Sequence, residues 1–120
     1  MGNTKAYFIA LCIVVGTVGQ CFAVTGNQMR EGCQISVDRP NVNVTLNDAV
    51  KGGTCEGFVY AIGAPGGLLG EPDRFCHPYG VDVEQAERVL LKYLNEHPEQ
   101  THEDAVLPAL QAFKLAWPCH

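Results

Sequence analysis

Four cysteines that follow an apolar N-terminal segment constrain this chain more than any other feature of its sequence. The segment carries one cation, Lys5, then an uncharged apolar stretch from Ala6 to Val18, and then small or polar residues up to Ala23. This order is typical of a secretory signal peptide, for which we expect cleavage after Ala23. The sequence therefore predicts an exported, periplasmic or secreted protein, with a signal peptide at residues 1–23 and a single domain at residues 24–120.

Two other interpretations of the N-terminal segment stay open. Acylation of Cys21 is disfavoured by the preceding Gln20, because lipid-attachment sites take a small residue there. The stretch from Ala6 to Val24, roughly 19 residues, is just long enough to span a bilayer as an uncleaved anchor. In each case the rest of the chain lies outside the cytosol, where paired cysteines are expected.

Charge and composition disfavour several classes of function. The chain has a formal net charge of −5, and loss of Lys5 with the signal peptide makes the remainder one unit more negative. An acidic domain is a poor partner for nucleic acid or an anionic membrane, so we expect neither after signal cleavage. The only serine is Ser36, no histidine pattern flanks it, and the thiols are expected to be oxidised. The sequence therefore predicts a protein that is not an enzyme and that needs no cofactor.

The clearest helix is predicted over Val83–His97, where apolar residues recur at steps of three and four. Asp82 is a suitable N-cap, Gln85 completes a capping box, and Pro98 ends the helix. The carboxylates on or beside the helices have the spacing of a solvated face and carry no catalytic pattern. They are Glu84, Glu87, Glu96, Glu99, Glu103 and Asp104.

A second helix is predicted over His102–Trp117, with Thr101 as its cap and Asp104 completing the box. Pro108 lies inside it and deletes a hydrogen bond, so we expect a kink or a fresh start near Leu107. Together with the preceding helix this makes a C-terminal αα-hairpin.

Shorter helices are expected upstream. One covers Cys55–Ile62 and stops by the glycine-rich run 63–67, and Gly57 within it suggests close packing. Another covers Asn27–Gln34. We interpret the alternating Val42, Val44 and Leu46 as an extended loop that enters a turn at Asn47-Asp48. The sequence thus predicts an all-α domain of about four helices, stabilised by disulfides.

The hairpin constrains the disulfide pairing. Its helices climb roughly 22 Å and descend roughly 24 Å, which brings Cys76 and Cys119 to the same end. We therefore predict a Cys76–Cys119 bridge and, by elimination, Cys33–Cys55. A zinc site built from these two cysteines with His77 and His120 is disfavoured, because adjacent Cys-His pairs ligate one ion awkwardly and an oxidising compartment favours a bridge.

The glycine-rich connection also contains a candidate partner-binding loop. Leu68 and Leu69 lie at its centre, and Glu71 and Asp73 follow them. Either the leucines tuck onto the core, as in many short loops, or they protrude with an acidic rim that fits the cleft of a partner.

Several motifs resemble a known family. They are Phe75-Cys76-His77-Pro78-Tyr79-Gly80-Val81, Lys92-Tyr93-Leu94-Asn95-Glu96-His97-Pro98-Glu99, Ala116-Trp117-Pro118-Cys119 and Cys55-Glu56-Gly57-Phe58-Val59-Tyr60-Ala61-Ile62-Gly63. Over most of the chain they resemble the periplasmic immunity proteins of the Tai and resistance-associated type. The resemblance implies an all-helical, disulfide-bonded periplasmic domain, often a homodimer. It further implies that the domain occludes the active-site cleft of a cysteine amidase that type VI secretion delivers to peptidoglycan.

The chain departs from the family pattern at two places. Pro108 falls where the family continues an aliphatic helix, and the segment 37–53 is longer than the usual link between the first two helices. A different class also stays open: a small periplasmic acid-stress chaperone that opens when its carboxylates are protonated.

Overall fold

The computed structural model describes residues 24–41 and 43–120. The predicted signal peptide lies outside the described residues. Four α-helices are present there: α1 (Gly26–Asp38), α2 (Leu46–Gly63), α3 (Val83–Glu96) and α4 (Val106–Ala116). Short 3₁₀ turns cover Arg39–Asn41, Gly66–Leu68 and Pro98–Gln100. The predicted all-α class is confirmed. None of the helices in these ranges is long and apolar enough to cross a membrane.

Threonine capping boxes begin the first two helices. At α1, Thr25 Oγ1 accepts the Gln28 amide at 3.3 Å and Gln28 Oε1 accepts the Thr25 amide at 2.9 Å. At α2, Thr45 and Asp48 exchange the same two bonds at 3.2 and 3.1 Å. Each box satisfies two backbone groups that a helix start otherwise leaves unpaired.

The α2 box overturns one prediction. Residues from Leu46 onward do not form an extended loop with a turn at Asn47-Asp48, because the Thr45 cap starts an 18-residue helix at Leu46. The Thr45 hydroxyl, followed by the Thr45 backbone amide, lowers the pKa of the Asp48 carboxyl. Helix α1 is also longer than predicted and runs on to Asp38.

The hairpin of α3 and α4 has the predicted topology with a different start for its second helix. Asp82 Oδ1 caps α3 by accepting the Gln85 amide at 2.7 Å. Helix α4 begins at Val106 instead of His102, so the fresh start expected near Leu107 is confirmed. Pro108 is the third residue of α4, where a backbone N–H has no intrahelical acceptor, and it therefore costs no hydrogen bond.

The residues before α4 contact the start of the domain. The backbone carbonyls of Thr101 and Glu103 accept the amides of Asn27 and Gly26 at 2.6 and 3.0 Å, and Val24 O accepts the Ala105 amide at 2.8 Å. Thr101 is not a helix cap, because its hydroxyl donates to Pro98 O at 2.9 Å. These hydrogen bonds hold residues 98–105 in a series of turns, so α4 begins only at Val106.

Helix α1 packs on α2 and α3, α4 packs on α2 and α3, and the core lies between them. Its largest fully buried side chains are Phe75, Phe113, Met29, Leu90, Leu94 and Val59. The Cys33–Cys55 bridge crosses from α1 to α2 inside this core. Close approach of these helices depends on Gly32, where a Cβ would lie 2.6 Å from the carbonyl oxygen of Lys51. The prediction of close packing at Gly57 is wrong, because that glycine faces open space.

One carboxylate joins α1 to α3 in the core. Glu87 is only 2% exposed, and both of its oxygens accept the hydroxyl of Ser36 at 3.0 Å. The interpretation of this residue as part of a solvated face is therefore wrong. Burial raises the pKa of the Glu87 carboxyl, and the Ser36 hydrogen bond opposes part of that rise. Ser36 thus has a structural role: its hydroxyl solvates a buried acid.

This contact predicts how stability depends on pH. Because the pKa of Glu87 is higher in the folded than in the unfolded chain, its contribution favours folding in acid and is lost as the pH rises through the folded-state pKa. Glu87→Gln removes that dependence. The free energy of unfolding of the variant, relative to that of the wild type, should therefore increase from acid to neutral pH. Urea denaturation at several pH values measures the difference, with the exposed Glu84→Gln as control.

Ser36→Ala should have the opposite effect. It leaves a buried carboxylate without its hydroxyl donor, so we expect a loss of about 1–3 kcal/mol at neutral pH and a smaller loss in acid. Equal losses at both pH values would contradict this account of the Ser36–Glu87 contact.

Candidate functional site

The connection between α2 and α3 presents the predicted partner-binding residues. We call residues 66–73 the leucine loop. Leu68 ends the Gly66–Leu68 turn with 89% of its surface exposed, whereas Leu69 is half-buried and packs against the core. Glu71 and Asp73 are both exposed. Each leucine therefore fits one of the two expected positions. Leu68 protrudes beside the acidic rim, and Leu69 packs onto the core and anchors the loop.

Phe75 braces the leucine loop from below. Its side chain is fully buried and packs against Phe113 of α4, with the ring centroids 5.3 Å apart. Gly66 lies directly on the Phe75 ring, where a Cβ would collide with the ring carbons. The carbonyl of Gly66 also accepts the amides of Leu69 at 3.4 Å and Phe75 at 3.3 Å. Both ends of the loop are thus held against one aromatic side chain.

The base of the loop is tied to the end of α4. A disulfide joins Cys76 to Cys119, and the Cys76 amide donates to the carbonyl of Trp117 at 2.8 Å. Lys114 Nζ donates to the carbonyl of Pro72 within the loop. The disulfide pairs of the structure are the two that the hairpin geometry predicts. Because Cys76 and Cys119 are bonded to each other, neither sulfur is available to the zinc site considered above.

A groove opens beside the base of the loop, with a volume of about 290 Å³. We call it the basal groove. Its walls come from the end of α2, the start of α3 and the end of α4, and they include Val59, Ala64, Val81, Val83, Phe113 and Trp117. His77 and Asp82 are the polar residues that the segment between the loop and α3 contributes to it.

Sequence reasoning identified the loop but missed its support. Phe75 belongs to one of the motifs that resemble the family, but no local pattern marks it as a support. The basal groove depends on three elements that are far apart in the chain. The signal for the anchor was an aromatic residue directly before a cysteine expected to be bridged. Among the described residues, no group of three or more histidine, cysteine or acidic side chains is placed to hold a metal ion. The exposed Leu68 and the groove beside the loop are the two features of the site that can contact another molecule.

Comparison with known families agrees with this geometry. The family model described as Rap1a immunity proteins matches residues 25–119, which include all four helices, the leucine loop and both bridges. The chain belongs to the Rap1a immunity protein family. No curated protein and no solved structure matches the chain. As a Rap1a family member it is an immunity protein, a class that acts by binding an effector protein and not by catalysis.

The brace under the loop of this Rap1a family member predicts different effects for two adjacent glycines. Gly66→Ala should displace the buried Phe75 ring and cost about 1–3 kcal/mol, as overpacking does. Gly67→Ala places its methyl group in open space and should change stability by less than about 0.5 kcal/mol. Thermal and urea unfolding of the two variants measure the contrast. Equal effects would show that the Gly66–Phe75 contact does not brace the loop.

The two bridges should also differ in how readily they are reduced. Cys33 and Cys55 are fully buried, whereas Cys76 is exposed, so a soluble thiol reaches the Cys76–Cys119 bridge first. Mild reduction followed by alkylation and peptide mass spectrometry should label Cys76 and Cys119 while Cys33–Cys55 stays intact. Earlier labelling of Cys33 would contradict the assignment of that bridge to the core.

Proposed function

We propose that this chain is a periplasmic immunity protein that binds and inhibits a peptidoglycan amidase delivered by type VI secretion. In this proposal the leucine loop enters the active-site cleft of the amidase and excludes its substrate. The observation that carries the proposal is the braced loop of a Rap1a family member, in which Leu68 is 89% exposed and has an acidic rim beside it. Export to the periplasm by the predicted signal peptide would bring the inhibitor to the compartment where such an amidase acts.

The loop has the physical properties of an inhibitor that binds tightly. Burying a leucine side chain contributes about 1.5–3 kcal/mol, and Leu68 has almost its whole surface available for burial. Because Phe75 and the Cys76–Cys119 bridge already order the loop, little conformational entropy is lost when it binds. The acidic rim and the net negative charge favour encounter with a basic cleft.

A charge placed at the loop tip tests the proposal. Leu68→Asp should weaken inhibition of the cognate type VI amidase by at least about tenfold, because it puts a charge where an apolar side chain is buried. Leu46→Asp is the matched control, since Leu46 is also 84% exposed but begins α2. The measurement is release of muropeptides from peptidoglycan, with proteins purified from the periplasm.

Three results would count against the proposal. The first is an amidase that stays fully active with the wild-type protein, and the second is equal inhibition by Leu68→Asp and Leu46→Asp. The third is a lower melting temperature of Leu68→Asp, which would mean that this substitution acts through folding. The family resemblance also implies a homodimer, which we include in the proposal. Sedimentation equilibrium of the exported protein tests it, and the mass of a single chain at all concentrations would exclude it.

A further inference from the structure

The basal groove is an apolar surface that the core does not fill. The buried Val59 and Phe113 lie at its floor, and the half-buried Val83 and Trp117 line it above them. The Trp117 ring stacks on Phe113 at 5.5 Å and meets the His77 ring edge-on at 6.3 Å. These contacts give the groove a preformed wall of aromatic side chains.

The size of the groove limits what can occupy it. A volume of about 290 Å³ lies at the lower end of ligand pockets, which begin near 300 Å³. That space suits one large side chain and is too small for a folded segment of a partner. Anchor residues at protein interfaces occupy pockets of this kind, and tryptophan and tyrosine are common among them.

The charge around the groove also restricts the occupant. None of its lining residues is a lysine or arginine, whereas Asp82 lines it directly. Glu71 and Asp73 lie on the neighbouring leucine loop, but Arg74 follows Asp73 directly and Lys114 donates to the Pro72 carbonyl, so the charge of the loop is mixed and Asp82 carries the charge of the groove itself. A large apolar side chain with a basic group beside it therefore complements the groove and its Asp82 carboxylate.

The position of the groove connects it to the loop. The groove is lined by residues of both chain segments that lead into and out of the loop, Gly63-Ala64 on one side and His77 on the other. When the loop enters a cleft, the rim of that cleft comes down on the loop base. A cleft that receives the loop would therefore place its rim against the basal groove.

We propose that the basal groove receives one large apolar side chain from a basic rim of the effector's cleft, as a second anchor beside Leu68. This inference rests on the proposed function, because the effector is the partner that the loop engages. The loop tip and the groove would then hold the effector at two separate points.

Trp117 is the single tryptophan of the chain and lines the groove, so it can report occupancy. With 5-fluorotryptophan incorporated into the exported protein, its one ¹⁹F resonance should shift when the unlabelled cognate type VI amidase is added. Val81→Phe fills the groove from the α3 side and should weaken amidase binding by at least about tenfold. Val106→Phe makes the same exchange at the start of α4, outside the groove, and should change affinity by less than about twofold.

Asp82→Asn tests the charge of the partner's rim. Asparagine caps a helix as well as aspartate does, so α3 keeps its start while the groove loses its negative charge. We expect amidase binding weakened several-fold at low salt, with the difference shrinking as salt is added. Unchanged binding by Asp82→Asn would show that the rim is not basic.

The outcomes separate this inference from the proposed function. If the wild-type protein inhibits the amidase while the Trp117 resonance stays in place and Val81→Phe binds normally, the groove is not an anchor site and the proposed function stands. If the wild-type protein neither binds nor inhibits the amidase, both proposals are wrong. The ¹⁹F measurement on the wild-type protein keeps the inference testable even where Val81→Phe fails to fold.

Discussion

The disulfide between Cys76 and Cys119 is the constraint on which the presentation of the leucine loop depends. It closes 43 residues of chain, so in the chain-entropy model it contributes roughly 4 kcal/mol, a large part of the stability of a small domain. It also fixes where the loop ends relative to α4. The Cys76 amide, the Trp117 carbonyl and the Phe75 ring are all positioned at this junction. Without the bridge, both the loop base and one wall of the basal groove would lose their common support.

The two disulfides stabilise different parts of the structure. Cys33–Cys55 is buried between α1 and α2, beside the close approach at Gly32, and it stabilises the core. Cys76–Cys119 lies at the surface and stabilises the site. This separation means that substitutions around Gly32 or Glu87 act on folding, whereas substitutions at Leu68 act on a surface that the core does not need. A small immunity domain can therefore vary its presented residues while its fold stays intact.

The sequence predicted what depends on local pattern and missed what depends on distant contacts. Helix α3 was predictable because its apolar periodicity, the Asp82 cap and Pro98 all agree. The start of α2 also has a local signal, the Thr45–Asp48 capping box, but the alternation of apolar residues up to Leu46 predicts an extended loop instead. Burial of Glu87 depends on Ser36, 51 residues away, and no local pattern encodes it. In the same way, only tertiary packing could distinguish the exposed Leu68 from the half-buried Leu69.

The electrostatics of the domain bear on the alternative function of an acid-opened chaperone. Acid protonates Glu87, which removes a buried charge and favours the folded core. The lowered pKa of Asp48 works in the other direction, because its contribution to stability is present at neutral pH and lost as the pH falls through its folded-state pKa. That loss affects the start of α2, far along the helix from the leucine loop.

Within residues 24–41 and 43–120, the contacts named above as bracing the loop involve no carboxylate or imidazole. They are a disulfide, the packing of Phe75, backbone hydrogen bonds and the Lys114–Pro72 contact. Acid therefore removes none of these four contacts by protonating a carboxylate within them. A loop braced in this way suits an inhibitor that must be ready whenever an effector arrives, and it does not suit a protein whose binding surface forms only when acid loosens the core.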